Sequence, residues 1–109
     1  MNRVVQAEDF RAIVRRGRRS GSAFAVYYRL DRMPDDPARF GFIVSRAVGG
    51  AVERNLVRRR MRAVCRQLVD SGARGMDVVV RALPGSAQRD WASLSADMHE
   101  VLDPELMPR

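Results

Sequence analysis

Between Val48 and Arg62 the chain reads Val-Gly-Gly-Ala-Val-Glu-Arg-Asn-Leu-Val-Arg-Arg-Arg-Met-Arg. Arg54, Arg58, Arg59, Arg60 and Arg62 stand there with Asn55 and a single acid, Glu53. At about 100° per residue, Val57, Met61, Val64, Cys65 and Leu68 share one sector of a helix. Arg54, Asn55, Arg58, Arg59, Arg62 and Arg66 share the neighbouring sector. Such a helix packs on a sheet with its apolar side and offers guanidinium groups with the other. Solvated charged faces ordinarily mix signs, and arginines crowded this closely repel unless an anion is at hand. The chemistry on offer is the binding of a polyanion.

Catalytic groups are sparse. His99 is the sole histidine, lies in an acidic stretch and has no evident nucleophile or metal partner, so a surface or packing role is expected. Asp35 and Asp36 sit between Pro34 and Pro37, which is turn chemistry. Gly49-Gly50 lacks the lysine and hydroxyl ending of a Walker phosphate loop. Cys65 is the only cysteine, on the apolar stripe, and reads as a core residue. No catalytic residue and no metal site are assigned to the chain.

The wider composition agrees. At 109 residues, 46% of them hydrophobic and 30% charged, the chain is expected to form one domain over 1–109. No apolar run approaches the roughly 18 residues of a membrane span, and there is no signal-peptide pattern, so cytoplasmic residence is the expectation. The net charge is +7, and all 20 basic residues are arginine. Residues 1–66 hold 16 arginines against 6 acids, a net of +10, whereas residues 67–109 hold 4 against 7. A one-sided basic footprint points to nucleic acid ahead of an anionic membrane.

The elements that must position these groups follow from periodicity. Ala7 to Arg16 reads as an amphipathic helix with Phe10, Ile13 and Val14 on one face, stopped by Gly17. A basic, small-residue segment, Arg18 to Ser22, leads to a strand over Ala23 to Leu30 with Phe24, Val26, Tyr28 and Leu30 on one face. After the Asp31–Ala38 turn, Arg39 to Ser45 is a second strand, apolar enough on both faces to predict a central position. The arginine helix runs over Ala51 to Asp70, and Met76 to Ala82 is a third strand. A last helix is expected over Ala87 to Leu102, with Trp91, Leu94, Met98, Val101 and Leu102 as its core stripe. The order αββαβα predicts an α+β sandwich with a mixed sheet. Read alone, Phe10 and Tyr28 are ordinary core or edge aromatics; beside a basic surface they also suit base stacking.

The residues Val48, Ala51, Arg54, Asn55, Val57, Arg58, Arg59, Met61 and Arg62 resemble the arginine-asparagine helix signature of the bacterial ribonuclease P protein family. Arg39-Phe40-Gly41-Phe42-Ile43-Val44-Ser45-Arg46 resembles the strand that leads into that helix. Asn2-Arg3-Val4, Glu8-Asp9-Phe10, Arg15-Arg16-Gly17 and Asp77-Val78-Val79-Val80 with Pro84 are similar to its other blocks. The resemblance implies a left-handed βαβ crossover, against the usual hand. It also implies a non-catalytic subunit of a ribonucleoprotein endonuclease that matures tRNA 5′ ends. The catalytic centre and the Mg2+ would then lie with the RNA, and the protein alone would bind no metal. Arg54, Asn55, Arg58, Arg59 and Arg62 would contact the catalytic RNA; Phe10, Val14 and Tyr28 would line a cleft for the 5′ leader of precursor tRNA. No membrane and no obligate protein partner are expected. Leu56, Ala47 and Gly50 stand where the family is commonly basic, and Arg60 is expected to make up part of that charge. Val14 stands where the family is often aromatic. The alternatives are a ribosomal-type RNA-binding module without a role in cleavage and a duplex-DNA binder.

Overall fold

The computed structural model describes residues 7–102, so Asn2-Arg3-Val4 and the acidic Asp103 and Glu105 lie outside the described residues. In order the elements are α1 (Ala7–Arg16), β1 (Arg18–Gly21), β2 (Ala25–Asp31), β3 (Arg39–Ile43), α2 (Ala51–Asp70), β4 (Met76–Ala82) and α3 (Trp91–Leu102). The strands form one sheet in the order β1-β2-β4-β3. β1 and β4 each run antiparallel to β2, while β3 runs parallel to β4. The sheet is therefore mixed, and α2 is the crossover between its two parallel strands.

Alternation along the strands builds two cores. Tyr27, Phe40, Val78 and Val80 face α2 and α3, where Val57, Met61, Val64, Cys65, Leu68, Leu94 and Met98 close over them. Val26, Tyr28 and Val79 face the other way, beneath Ile13 of α1. The apolar stripe of the arginine helix is thus buried as its spacing predicts, with all five members at 0% exposure. Cys65 lies in that core, and burial pushes its thiol pKa up.

Four expectations need correction. β3 is an edge strand, not a central one. It reads apolar on both faces because both are covered: Phe40 and Phe42 pack in the α2 layer, Gly41 and Ile43 in the α1 layer. Second, Arg18–Gly21 is a strand. All four residues are exposed, so no hydrophobic alternation marks it; it exists because the β2 edge offers backbone partners. Third, Phe24 precedes β2 and packs with the α2 layer, not with Val26 and Tyr28.

The fourth concerns the last helix. A 3-10 turn over Ser86–Gln88 comes first and α3 begins at Trp91, where Asp90 Oδ1 accepts the Ser93 N–H at 2.7 Å. Trp91 is 37% exposed, so the buried stripe is Leu94, Met98 and Leu102. Helical spacing sets where a side chain points, not whether a neighbour stands at that height.

Candidate nucleic-acid interface

The Gly49-Gly50 break lets α2 begin directly after a 3-10 turn at Arg46–Val48. Asn55, Arg59, Arg62 and Arg66 are exposed, and Arg54 and Arg58 are half-buried. Arg58 is held in place: its Nη1 donates to Asn55 Oδ1 at 3.5 Å and its Nη2 to the Val44 carbonyl at 3.4 Å. Arg54 Nε is buried without a hydrogen-bond partner among the described residues. No carboxylate within 4.0 Å pairs with any α2 arginine among the described residues. The ion pairs belong to Arg18, Arg29, Arg32 and Arg39.

Arg60 does not join this row. It stands about 160° round the helix from Arg62, and its Nη1 donates to the Arg89 carbonyl at 2.9 Å. Arg89 in turn lies over the Phe24 ring, 4.9 Å from its centroid. Arg60 therefore braces α2 against the segment before α3 and does not replace charge lost at Ala47, Gly50 and Leu56.

On the other side of the sheet, Phe10, Val14 and Ile43 form an apolar groove of about 420 Å³ flanked by Arg11 and Arg15. Phe10 and Val14 are brought together there. Tyr28 is not in its lining: it is 7% exposed, packs with Ile13, and is separated from Gly41 by Val79 in the cross-strand row. The Arg19 guanidinium stands 6.0 Å from the Tyr28 ring centroid. Arg11, Arg15 and Ile43 were not singled out from the sequence for this groove. Alternation in β3, which puts Arg39, Gly41 and Ile43 on one face, was the signal for Ile43.

A buried ion pair fixes α1 over this face. Arg39 Nε and Nη2 donate to Asp77 at 2.8 and 2.6 Å, and its Nη1 reaches Asp9 of α1 at 3.3 Å. Asp77 is 4% exposed and also receives Arg32 at 3.3 Å. The hydrogen bonds to Asp77, and the field of that carboxylate, hold the Arg39 pKa above its ordinary range. Across the sheet, Tyr27 and Ser22 both donate to Asp97 of α3. Burial, then Asp97, pushes the Tyr27 pKa up.

His99 shares a hydrogen bond with Gln67 at 3.1 Å, and Asp36 pairs with Arg32 at 3.5 Å in its turn. Among the described residues no three His, Cys, Asp or Glu side chains gather as a metal site. No helix among them is long and apolar enough to cross a membrane.

The family model for ribonuclease P matches residues 1–104. The chain is 48% identical over 97 residues to the ribonuclease P protein component of Clavibacter michiganensis, covering 89% of this chain and 86% of that one. It is 49% identical over 107 residues to that of Rhodococcus opacus, covering 93% and 86%. In fold it is similar to the Staphylococcus aureus RNase P protein, with a TM-score of 0.82 at 24% identity over 97% of this chain and 96% of that one. The Thermotoga maritima RNase P protein gives 0.81 at 23% identity over 94% and 96%. These likenesses favour the cleavage subunit over a ribosomal-type module. The chain belongs to the ribonuclease P protein family and is a protein subunit of that endoribonuclease.

Proposed function

We propose that this chain holds the catalytic RNA of ribonuclease P and the 5′ leader of precursor tRNA, while the cutting centre lies in the RNA. The observation that carries the proposal is the arginine row of α2, which is without ion pairs among the described residues. A helix anchored by five fully buried side chains presents its guanidinium groups with little further loss of freedom on binding. Arg54, Asn55, Arg58, Arg59 and Arg62 contact the catalytic RNA, mainly through phosphates.

The leader lies along the α1 side of the sheet. Phe10 and Val14 offer an apolar surface to unstacked bases, Arg11 and Arg15 take phosphates, and Tyr28 supports the floor beneath Ile13. The carboxylates that hold the fold are already engaged, Asp77 by Arg39, Asp31 by Arg18 and Arg29, and Asp97 by Ser22 and Tyr27. On this reading Mg2+ is held mainly by RNA, and the protein aids it by lowering repulsion between phosphates. A role in tRNA maturation carries cytoplasmic residence with it.

A cleavage assay tests this reading. RNA subunit and precursor tRNA are incubated at low magnesium with and without the protein. Stimulation of leader removal is expected; an unchanged rate would refute the proposal.

A further inference from the structure

We infer that the path of the single-stranded leader continues beyond the α1 groove and crosses the sheet, with Arg81 of β4 as a phosphate contact and Arg19 of β1 at its far end. This rests on the leader-binding role proposed above.

The odd-numbered residues of β4 face α1. Asp77 is held by Arg39, Val79 is buried beneath Ile13, and Arg81 is exposed. Arg81 interrupts a run of valines and has no ion-pair partner among the described residues. Its register partners are Ile43 on β3 and Val26 on β2. Ile43 is the wall of the groove, so Arg81 stands one strand away, about 4.8 Å in backbone spacing. With apolar register partners on both sides and the residue exposed, Arg81 is placed to keep its methylenes on the sheet and its charge in water.

Arg19 lies on the neighbouring cross-strand row, that of Tyr28, Val79 and Gly41, two residues along from the row of Arg81, Val26 and Gly21. It pairs with Tyr28 in register, shares the α1 face and is exposed. From β3 to β1 the sheet spans about 14 Å, three strand spacings, which is room for more than one phosphate in succession. The two faces of the β1–β2 ribbon differ in a way that fits this path. Arg18 and Arg29, on the opposite face, both pair with Asp31 at 3.0 Å. On the α1 face no such acid meets Arg19 or Arg81 among the described residues. The charge is left bare on the side where the groove opens.

The experiment compares Arg81→Ala, Arg81→Lys and a charge-matched control, Arg74→Ala, in the reconstituted holoenzyme. Arg74 is exposed in the loop before β4, at the far end of that strand. Binding is measured for mature tRNA and for precursors whose leader is lengthened one nucleotide at a time. Arg81→Ala should weaken binding about three- to tenfold, only once the leader is long enough to reach the row. The log–log salt slope should flatten by about 0.7. Arg81→Lys should recover most of the loss, and Arg74→Ala should match the unaltered protein. If the unaltered holoenzyme gains affinity with leader length and Arg81→Ala follows it throughout, the inference fails while the leader-binding role stands. Equal weakening for mature tRNA and precursor would also overturn it. An unaltered holoenzyme blind to the leader would overturn the role and the inference together.

Discussion

The ring of Phe10 lies against the backbone of Gly41, so close that a Cβ on Gly41 would stand 2.5 Å from Phe10 Cζ. One helix residue and one edge-strand residue thereby set the height of α1 over the sheet and the depth of the groove beside it. Gly41→Ala should force the ring or the helix to move, at a cost of about 1–3 kcal/mol in denaturant unfolding. Combining it with Phe10→Ala should cost less than the two single changes added together. Strict additivity would mean that the two residues do not act through one contact.

The Arg39–Asp77 pair is the second device that holds α1, through Asp9. Asp77→Ala removes the buried acceptor of Arg39 and leaves that half-buried guanidinium with Asp9 alone, so it should destabilise by about 1.5–3 kcal/mol. Arg39→Met in the same protein should return part of that loss. A melting temperature unchanged by Asp77→Ala would show that the pair contributes nothing.

Arg62 and Arg60 lie on different flanks of α2, and their replacements should differ accordingly. Arg58→Ala with Arg62→Ala should weaken binding to the RNA subunit and flatten its salt dependence by roughly 0.7–0.9 per lost phosphate contact. Arg60→Ala should leave that slope where it is and loosen the contact between α2 and the segment around Arg89. Titrations at several salt concentrations distinguish them, and an equal loss of slope for Arg60→Ala would contradict the assignment.

Asp90 accepts the backbone N–H of Ser93, and that hydrogen bond lowers its pKa below the ordinary aspartate value. A carboxylate whose folded pKa is depressed contributes stability above its unfolded pKa. It loses that contribution as pH falls through the folded one. The protection of amides in the first turn of α3, relative to their intrinsic exchange at each pH, should therefore fall under acid conditions. Asp90→Asn keeps an acceptor at the cap and should remove this dependence on acid. Protection in the unaltered protein that stays constant into acid pH would argue against the cap.

Much of the fold is legible in the chain. Val57, Met61, Val64, Cys65 and Leu68 recur at helical spacing, and α2 spans Ala51–Asp70 as that spacing predicts. Met76–Ala82 is likewise the strand that its valines announce. These elements are readable because each buries a side-chain pattern with its own period. β1 escapes such reading because it buries no side chain and is held mainly by backbone pairing with β2. The edge position of β3 escapes it because covered faces, not neighbouring strands, govern composition.

By itself the sequence determined the arginine helix, its apolar anchor and the anionic kind of partner, since spacing on one helix is a local property. Which arginines are spent within the fold and which are left for RNA was decided only by tertiary structure. Arg18, Arg32 and Arg39 meet carboxylates on other strands, Arg29 meets Asp31 of its own strand, and Arg60 meets a carbonyl 29 residues away. Arg58, Arg62, Arg19 and Arg81 meet no carboxylate among the described residues. All carry the same charge in the chain, and the contacts the fold brings to each decide which are paired with a carboxylate and which are not.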